Sequence, residues 1–244
     1  APMKGMDFMP AGDRAMVVQF GDAIDEKTNR QVQLLAKWIE KQETKGVLEV
    51  LPTFRSLTVF YDPQKTDYHT LKATLRRADF SESDGGSMEK RIVEIPCCYG
   101  GTFGEDLPAM EEVTGLSSSE IVQIHSGTDY LVYMLGFLPG FVYLGGLDER
   151  IHAPRLSTPR VKIPAGAVGI GGSQTGVYPL DSPGGWRLIG ATPLRMYDPD
   201  REQPFLCNAG DYIRFCPIDE AQYREIEAQV KAGTYQAKVR ITQA

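Results

Sequence analysis

The sequence predicts an α+β protein with two domains, a small α+β domain followed by a larger domain of many short strands. In the first eighty residues, strand and helix patterns alternate. Residues 81–88 (SESDGGSM) show no apolar periodicity and contain two consecutive glycines, as is typical of a linker. Beyond them, short β-prone segments are separated by glycine and proline, which indicates a β-barrel or β-sandwich. We therefore predict an N-terminal domain at 1–80, a linker at 81–90 and a C-terminal domain at 91–244.

The N-terminal domain shows the element order β-α-β-β-α. Strand-forming residues, and apolar residues at helical spacing, predict these elements in chain order: a strand at Ala15–Phe20, a helix through Val32, Leu35 and Ile39 that ends at Gly46, strands at 48–52 and 57–61, and a helix from about Asp67. This order indicates a small α+β sandwich of the split βαβ, or ferredoxin-like, type. The sheet would be completed by residues 92–95 or by another strand.

Two short helices are predicted near the start of the C-terminal domain. Pro108 suits the first position of a helix, and Gly115 suits the position just after its end. Ser117 and Glu120 have the spacing of a capping box at the start of the second helix. This second helix carries His125 in its last turn.

Residues 130–147 (YLVYMLGFLPGFVYLGGL) form an uncharged stretch that approaches the length of a membrane span. Its glycines and its proline would leave backbone groups without partners in a bilayer. We therefore predict a buried strand that runs into a turn-rich loop. Short strands are predicted to follow at 161–163, 168–170, 188–189, 194–197 and 212–215, then a helix near 220–231 and a strand around 235–241.

Composition and charge exclude several classes of protein. Lys and Arg number 26 and Asp and Glu number 32, so the net charge is −6, and an acidic chain repels nucleic acid. The four cysteines include no CxxC spacing and there are three histidines, so no metal site is predicted. The first twenty residues lack the profile of a signal peptide. We predict a cytoplasmic protein with reduced thiols that binds neither membrane nor nucleic acid.

The glycine-rich stretch at 136–193 is the predicted location of a binding site. Glycine lets backbone N–H groups approach a ligand closely, and such loops often build sites on a rigid scaffold. The run GIGGSQTG (169–176) lacks the third glycine of a dinucleotide fingerprint, and no phosphate-binding P-loop pattern occurs. The glycines can serve tight barrel corners or a phosphate cradle, and the sequence alone leaves both open.

Ten residues in and near this stretch are candidates for the site. Arg160 and Lys162 can hold a carboxylate or a phosphate, and the alternative is a solvated basic edge. His125 is a plausible general base because it titrates near neutrality; alternatively it complements the dipole of its helix. The full set is His125 as the catalytic residue, with Phe137, Pro139, Phe141, Arg160, Lys162, Gln174, Thr175, Tyr178 and Trp186 as substrate-binding residues.

The neutral candidates suit an amide. Gln174, Thr175 and Tyr178 offer hydrogen-bond donors and acceptors that match an amide or a lactam. A turn-capping threonine and a buried structural tyrosine are the alternatives. Phe141 and Trp186, like Phe137, can form either a ligand platform or part of the core.

Several long motifs in the same order resemble those of a known family. They are FMPAGDRAMVVQFG (8–21), GFLPGFVYLGGL (136–147), PRVKIPAGAVGIGGSQTGVYP (159–179), SPGGW (182–186), IGATP (189–193) and GDYIRF (210–215). By these motifs the chain resembles the KipI / allophanate hydrolase subunit 1 family over nearly its whole length. Ala191 stands where many relatives carry arginine, and Ala167 stands where serine is common.

The resemblance implies a fold and an activity. It implies that the C-terminal domain is a cyclophilin-like β-barrel, and that the chain is the B subunit of a 5-oxoprolinase, which opens 5-oxo-L-proline to L-glutamate using ATP. The implied partners are the 5-oxoprolinase subunits A and C, which would share ATP and Mg with this chain. Because the chain has no nucleotide motif, we expect it to supply part of a composite site and to be inactive in isolation.

The resemblance also implies two other roles. One is that of a KipI-type inhibitor of autophosphorylation by a sensor histidine kinase in sporulation control, antagonised by a KipA-type partner. Both this role and the enzymatic one can coexist in one protein. The other is that of a component of a biotin-dependent urea or amide carboxylase, or of an allophanate hydrolase.

Overall fold

The computed structural model describes residues 5–21, 26–53, 55–79, 89–136 and 138–243. The chain divides into two compact units between residues 88 and 89. The candidate Phe137 and residues 81–88 of the predicted linker lie outside the described residues.

The N-terminal unit is a four-stranded antiparallel sheet with two helices. Its elements in chain order are β1 (Met6–Pro10), β2 (Ala15–Phe20), α1 (Glu26–Lys41), β3 (Val47–Pro52), β4 (Ser56–Tyr61) and α2 (Tyr68–Arg76). The strand order is β1-β2-β4-β3. Alternate residues of β2 and β4 are buried together with apolar residues of both helices, so the helices cover one face of the sheet.

The fourth strand of this sheet precedes the other three strands in the chain. The split βαβ pattern has its last strand after the second helix, whereas here the edge strand β1 precedes β2 and pairs with it antiparallel. Residues 92–95, the other candidate, belong to a strand of the C-terminal unit. The α+β class is confirmed, and the predicted helix start at Asp67 is also confirmed, because its side chain accepts a hydrogen bond from the backbone N–H of Thr70.

The C-terminal unit is a nearly closed mixed β-barrel. Its elements are β5 (Glu89–Tyr99), α3 (Leu107–Thr114), α4 (Ser118–Ser126), β6 (Asp129–Leu135), β7 (Val142–Gly145), a 3-10 turn (Glu149–Ile151), β8 (Arg160–Ile163), β9 (Ala167–Gly171), β10 (Gln174–Val177), β11 (Ser182–Gly184), β12 (Arg187–Ala191), β13 (Tyr212–Ile218), α5 (Glu220–Lys231) and β14 (Val239–Gln243).

The main sheet has the order β10-β9-β12-β5-β13-β6-β7. The pair β5–β13 is parallel and the other pairs are antiparallel. The two ends of this order, β7 and β10, lie against each other, so the sheet curls almost into a closed barrel around an apolar core. Strands β8 and β11 form a separate two-stranded ribbon, and β14 pairs with the beginning of β5.

Several local signals in the C-terminal unit are confirmed. The strand predicted at 194–197 is wrong, because these residues lie in a loop with only an isolated bridge between Tyr197 and Phe205. Pro108 lies in the first turn of α3, and Gly115 ends that helix with a φ of 72°, which only glycine adopts easily. Ser117 and Glu120 form the capping box of α4. The uncharged stretch at 130–147 is β6, a turn and β7. Among the described residues, no helix combines the length and apolarity needed to cross a membrane.

Candidate functional site

Three of the predicted aromatic residues meet in one place, which we call the aromatic cluster: Phe141, Tyr178 and Trp186. The ring centroids of Phe141 and Trp186 are 6.0 Å apart, those of Tyr178 and Trp186 are 6.0 Å apart, and all three contacts are edge-to-face. Tyr178 and Trp186 are buried and Phe141 is half-buried. The cluster forms a small apolar group distinct from the barrel core.

The glycines of strands β9 and β10 make room for the Trp186 ring. A Cβ atom on Gly171 would lie 2.2 Å from Cδ1 of this ring, and one on Gly176 would lie 3.1 Å from Cζ3. Gly172 has a φ of +64° and forms the turn between the strands. This arrangement accounts for the run GIGGSQTG by turn geometry and ring packing. It gives no support to the alternative of a phosphate cradle.

The β9–β10 hairpin has two different faces. Side chains alternate along a strand, and paired residues share a face, so Gln174 lies on the same face as Gly171 and Gly176, against which Trp186 packs. Thr175 lies on the opposite face and is fully buried on the side of the barrel core. The two neighbouring candidates therefore belong to different environments. Gln174 is half-buried beside the aromatic cluster.

Arg160 lies next to the cluster, but its charge is already neutralised. Its Nε is 3.0 Å from a carboxylate oxygen of Glu105, and its Nη2 donates to Asp106 over 2.8 Å. A hydrogen bond to Asp106 raises the pKa of Arg160. The other oxygen of Asp106 accepts from the backbone N–H of Leu188 at 2.7 Å. Arg160 thus ties β8 to the start of α3 and does not present the free guanidinium that we predicted for an anion.

The remaining charged and loop candidates are at the surface. Lys162 is exposed and pairs with Asp181 at 2.8 Å, and the hydrogen bond to this carboxylate raises the pKa of the lysine. Pro139 is exposed in the turn between β6 and β7. Neither residue belongs to the apolar group formed around the aromatic cluster.

His125 is buried in the interior and both of its ring nitrogens have protein partners. Nδ1 is 2.7 Å from the hydroxyl of Tyr99, and Nε2 is 2.8 Å from Oγ1 of Thr175. The Thr175 hydroxyl donates its hydrogen to the carbonyl of Gly169 at 2.9 Å, so we assign the proton between His125 and Thr175 to Nε2. Nδ1 then accepts from the Tyr99 hydroxyl. His125 is the centre of a fully satisfied polar network.

The predicted role of His125 as general base does not fit this arrangement. A general base must lie within hydrogen-bond reach of the proton that it removes. The imidazole is fully buried and packs against Phe215 with ring centroids 4.6 Å apart and the rings tilted by 32°. Burial lowers its pKa to about 3. The neutral and enclosed imidazole of His125 instead holds α4 against the barrel through its contacts with Tyr99 and Thr175.

The partners that define these contacts were missed in the sequence. Asp106 and Glu105 precede α3, where Pro108 indicated a helix start but nothing indicated a partner for Arg160. Tyr99 ends β5, and no local pattern linked it to His125. Among the described residues, no group of three or more His, Cys, Asp or Glu side chains is placed to hold a metal ion.

Comparison with known proteins identifies the family. Residues 6–207 match the family described as carboxyltransferase domain, subdomain C and D. The chain belongs to this carboxyltransferase domain family. It is 46% identical over 222 residues to the 5-oxoprolinase B subunit of Bacillus subtilis (strain 168), covering 87% of this chain and 92% of the relative. It is 40% identical to the 5-oxoprolinase B subunit of Escherichia coli O157:H7, covering 86% of this chain and 94% of the relative.

A solved structure is similar over the same region. The conserved uncharacterized protein PH0987 from Pyrococcus horikoshii is 47% identical, with 89% of this chain and 100% of that chain covered and a TM-score of 0.53. The match to the family model at residues 6–207 includes residues of both units.

The two positions at which we predicted a departure from the family pattern are neighbours in the structure. Ala167 on β9 and Ala191 on β12 are register partners in the antiparallel pair. Ala167 also contributes to the apolar group that contains Tyr178 and Trp186. The two positions therefore lie side by side, with Ala167 buried next to the aromatic cluster.

We predict that replacing Gly171 by alanine destabilises the protein, because the new methyl group collides with the Trp186 ring. The free energy of unfolding should fall by about 1–3 kcal/mol, the usual cost of overpacking. Urea unfolding followed by tryptophan fluorescence measures it. The matched control is Gly185→Ala, whose added Cβ meets its nearest neighbours at 3.8 Å. Equal stability of the two variants would refute this packing.

We predict that the buried imidazole of His125 lowers the free energy of unfolding in mild acid. The pKa of His125 is lower in the folded protein than in the unfolded chain, about 3 against about 6.5, so the unfolded chain takes up the proton first as the pH falls. The stability difference between the wild type and His125→Gln should therefore shrink by about 2 kcal/mol between pH 8 and pH 5. Urea unfolding at each pH measures this difference.

The control for this experiment is His69→Gln, because His69 is exposed on α2. A pH-independent difference between the wild type and His125→Gln would contradict the enclosed, neutral imidazole. A change of the same size in the control would do so as well.

Proposed function

We propose that the chain acts as the B subunit of a 5-oxoprolinase, the ATP-dependent hydrolase complex that opens 5-oxo-L-proline to L-glutamate. The observation that carries the proposal is its identity of 46% and 40% with two 5-oxoprolinase B subunits, along almost the full length of each relative. The partners implied by such a role are the other 5-oxoprolinase subunits.

The lactam is a poor electrophile, so its hydrolysis needs activation. Transfer of the γ-phosphoryl group of ATP to the lactam oxygen would create a leaving group. A first water then adds to the carbon and the ring C–N bond breaks, which leaves an acyl phosphate and the free amine. A second water hydrolyses the acyl phosphate, so that the products are glutamate, ADP and phosphate. Such a reaction needs cations for the phosphoryl group, groups that match the amide and a base for the water.

The chain supplies only some of these groups. The aromatic cluster gives an apolar wall that suits the methylene carbons of the lactam ring, and Gln174 beside it offers an amide that can pair with the lactam N–H and C=O. Arg160 positions the Trp186 segment, because its Nη1 also reaches the Trp186 carbonyl at 3.5 Å. Arg160 itself is paired with two carboxylates, so it is not free to bind a phosphoryl group. His125 is enclosed, so it cannot reach a water at the substrate.

We therefore assign the base and the main phosphate-binding cations to the partner subunits, with ATP and Mg held largely by them. This division makes the isolated chain inactive. Lys162 and Pro139 stay candidates for the outer rim of the composite site because both are exposed. The kinase-inhibitor and sporulation roles stay predictions from the family resemblance, and we do not propose them.

The assay reconstitutes the chain with subunits A and C and measures ATP-dependent glutamate release. We expect no turnover by the isolated chain and full turnover only when all three subunits are present. Turnover by subunits A and C alone at the full rate would refute the proposal.

We predict that Gln174→Leu lowers kcat/KM of the assembled complex for 5-oxo-L-proline by about tenfold. The reason is that the lactam amide loses about one hydrogen bond when the Gln174 amide is removed. The control is Gln123→Leu, since Gln123 is exposed on α4. Unchanged kcat/KM in Gln174→Leu, or an equal loss in both variants, would remove Gln174 from the substrate site.

A further inference from the structure

A cavity of about 350 Å³ lies on the C-terminal unit, lined by the loop after β12 and by the connection between α5 and β14. We call it the arginine cavity, after Arg91, Arg195 and Arg201, which line it. Its lining includes none of the residues of the aromatic cluster. Its volume lies in the range typical of small-molecule sites.

Two of the three arginines are neutralised by carboxylates. Arg91 forms an ion pair with Asp211, which is largely buried. Arg195 is more exposed and lies 3.4 Å from Asp198. Three guanidinium charges against two carboxylates leave one positive charge in the cavity.

That charge belongs to Arg201. Its Nη2 donates to the carbonyl of Pro204 at 2.8 Å, which fixes the plane of the guanidinium. Its Nε is buried, and within the described part of the chain it has no hydrogen-bond partner. Within the same residues, Arg201 takes part in no ion pair. A cationic group with unpaired donors favours an acceptor, and a ligand would reach this guanidinium through Nη1, because Nε is enclosed and Nη2 already donates to Pro204.

The other walls of the cavity are apolar. Leu194, Phe205, Tyr235 and Val239 contribute to the lining, and Phe205 and Val239 have 36% and 39% of their surface exposed. An inorganic ion would leave these apolar surfaces in contact with water. A ligand with an apolar body would cover them and gain from their burial.

We propose that the arginine cavity is a binding site for a small organic carboxylate with an apolar body, held by Arg201 through its carboxylate. One free positive charge matches a singly charged carboxylate better than a doubly charged phosphate. The site belongs to this chain alone, so it goes beyond the function proposed above and does not depend on it.

The test titrates the full chain with three probes and measures heats of binding. Cyclopentanecarboxylate carries both features, cyclopentanecarboxamide lacks the charge, and inorganic phosphate lacks the apolar body. We expect saturable binding of the carboxylate, with the carboxamide and phosphate at least about tenfold weaker. No saturable binding of the carboxylate, or binding of either other probe with equal or higher affinity, would overturn the proposal.

Two variants locate the binding. Arg201→Gln should lower the affinity for cyclopentanecarboxylate by about tenfold or more. Val239→Trp should abolish binding, because the larger side chain fills the cavity while the charge of Arg201 is kept. Val239 is exposed on β14, so this variant is compatible with folding, which circular dichroism checks. The control Arg150→Gln removes an exposed arginine paired with Asp148 outside the cavity and should bind like the wild type. Wild-type affinity in both cavity variants would overturn the assignment.

Discussion

The packing of the Trp186 ring on the glycines of the β9–β10 hairpin is the constraint on which the candidate site depends. Because a Cβ on Gly171 would overlap the indole, this strand can carry no larger residue there while the ring stays in place. The ring in turn fixes Tyr178 and Phe141 around it. A single close approach of side chain to backbone thus determines where the apolar wall lies.

The other face of the same hairpin has a different role. Thr175 points toward the barrel core and joins His125 to the carbonyl of Gly169. Tyr130 donates to the His125 carbonyl at 2.8 Å, so the backbone of α4 is held as well. Such a satisfied buried network stabilises one arrangement of α4 and the barrel. A rigid hairpin with one face in the core is a suitable scaffold for a site on the other face.

Local patterns predicted most elements because their signals lie within a few residues. The capping box at Ser117 and the glycine ending α3 are examples, since each depends only on neighbours in the chain. The edge strand β1 was not predicted. Met6 and Phe8 pack against the core of the unit, but two alternating apolar residues are too short a pattern to predict a strand, and the rest of β1 is exposed.

The candidate site was predictable only in part, for a physical reason. The aromatic residues could be predicted as a group because apolar side chains collect wherever the fold encloses them, whichever neighbours they meet there. The roles of Arg160 and His125 depend on partners 54 and 26 residues away, Asp106 and Tyr99. Whether a charged or titratable side chain meets a ligand or a protein group is decided by barrel closure, which no local spacing encodes.

In the proposed complex, the aromatic cluster forms one wall of a lactam site completed by partner subunits. Fluorine NMR of the chain labelled with 5-fluorotryptophan tests this role directly, because the chain has two tryptophans and Trp38 in the N-terminal unit serves as the internal reference. In the complex with unlabelled subunits A and C, 5-oxo-L-proline should shift the Trp186 signal saturably and leave Trp38 unchanged. An unchanged Trp186 signal at saturating 5-oxo-L-proline in an active complex would contradict it.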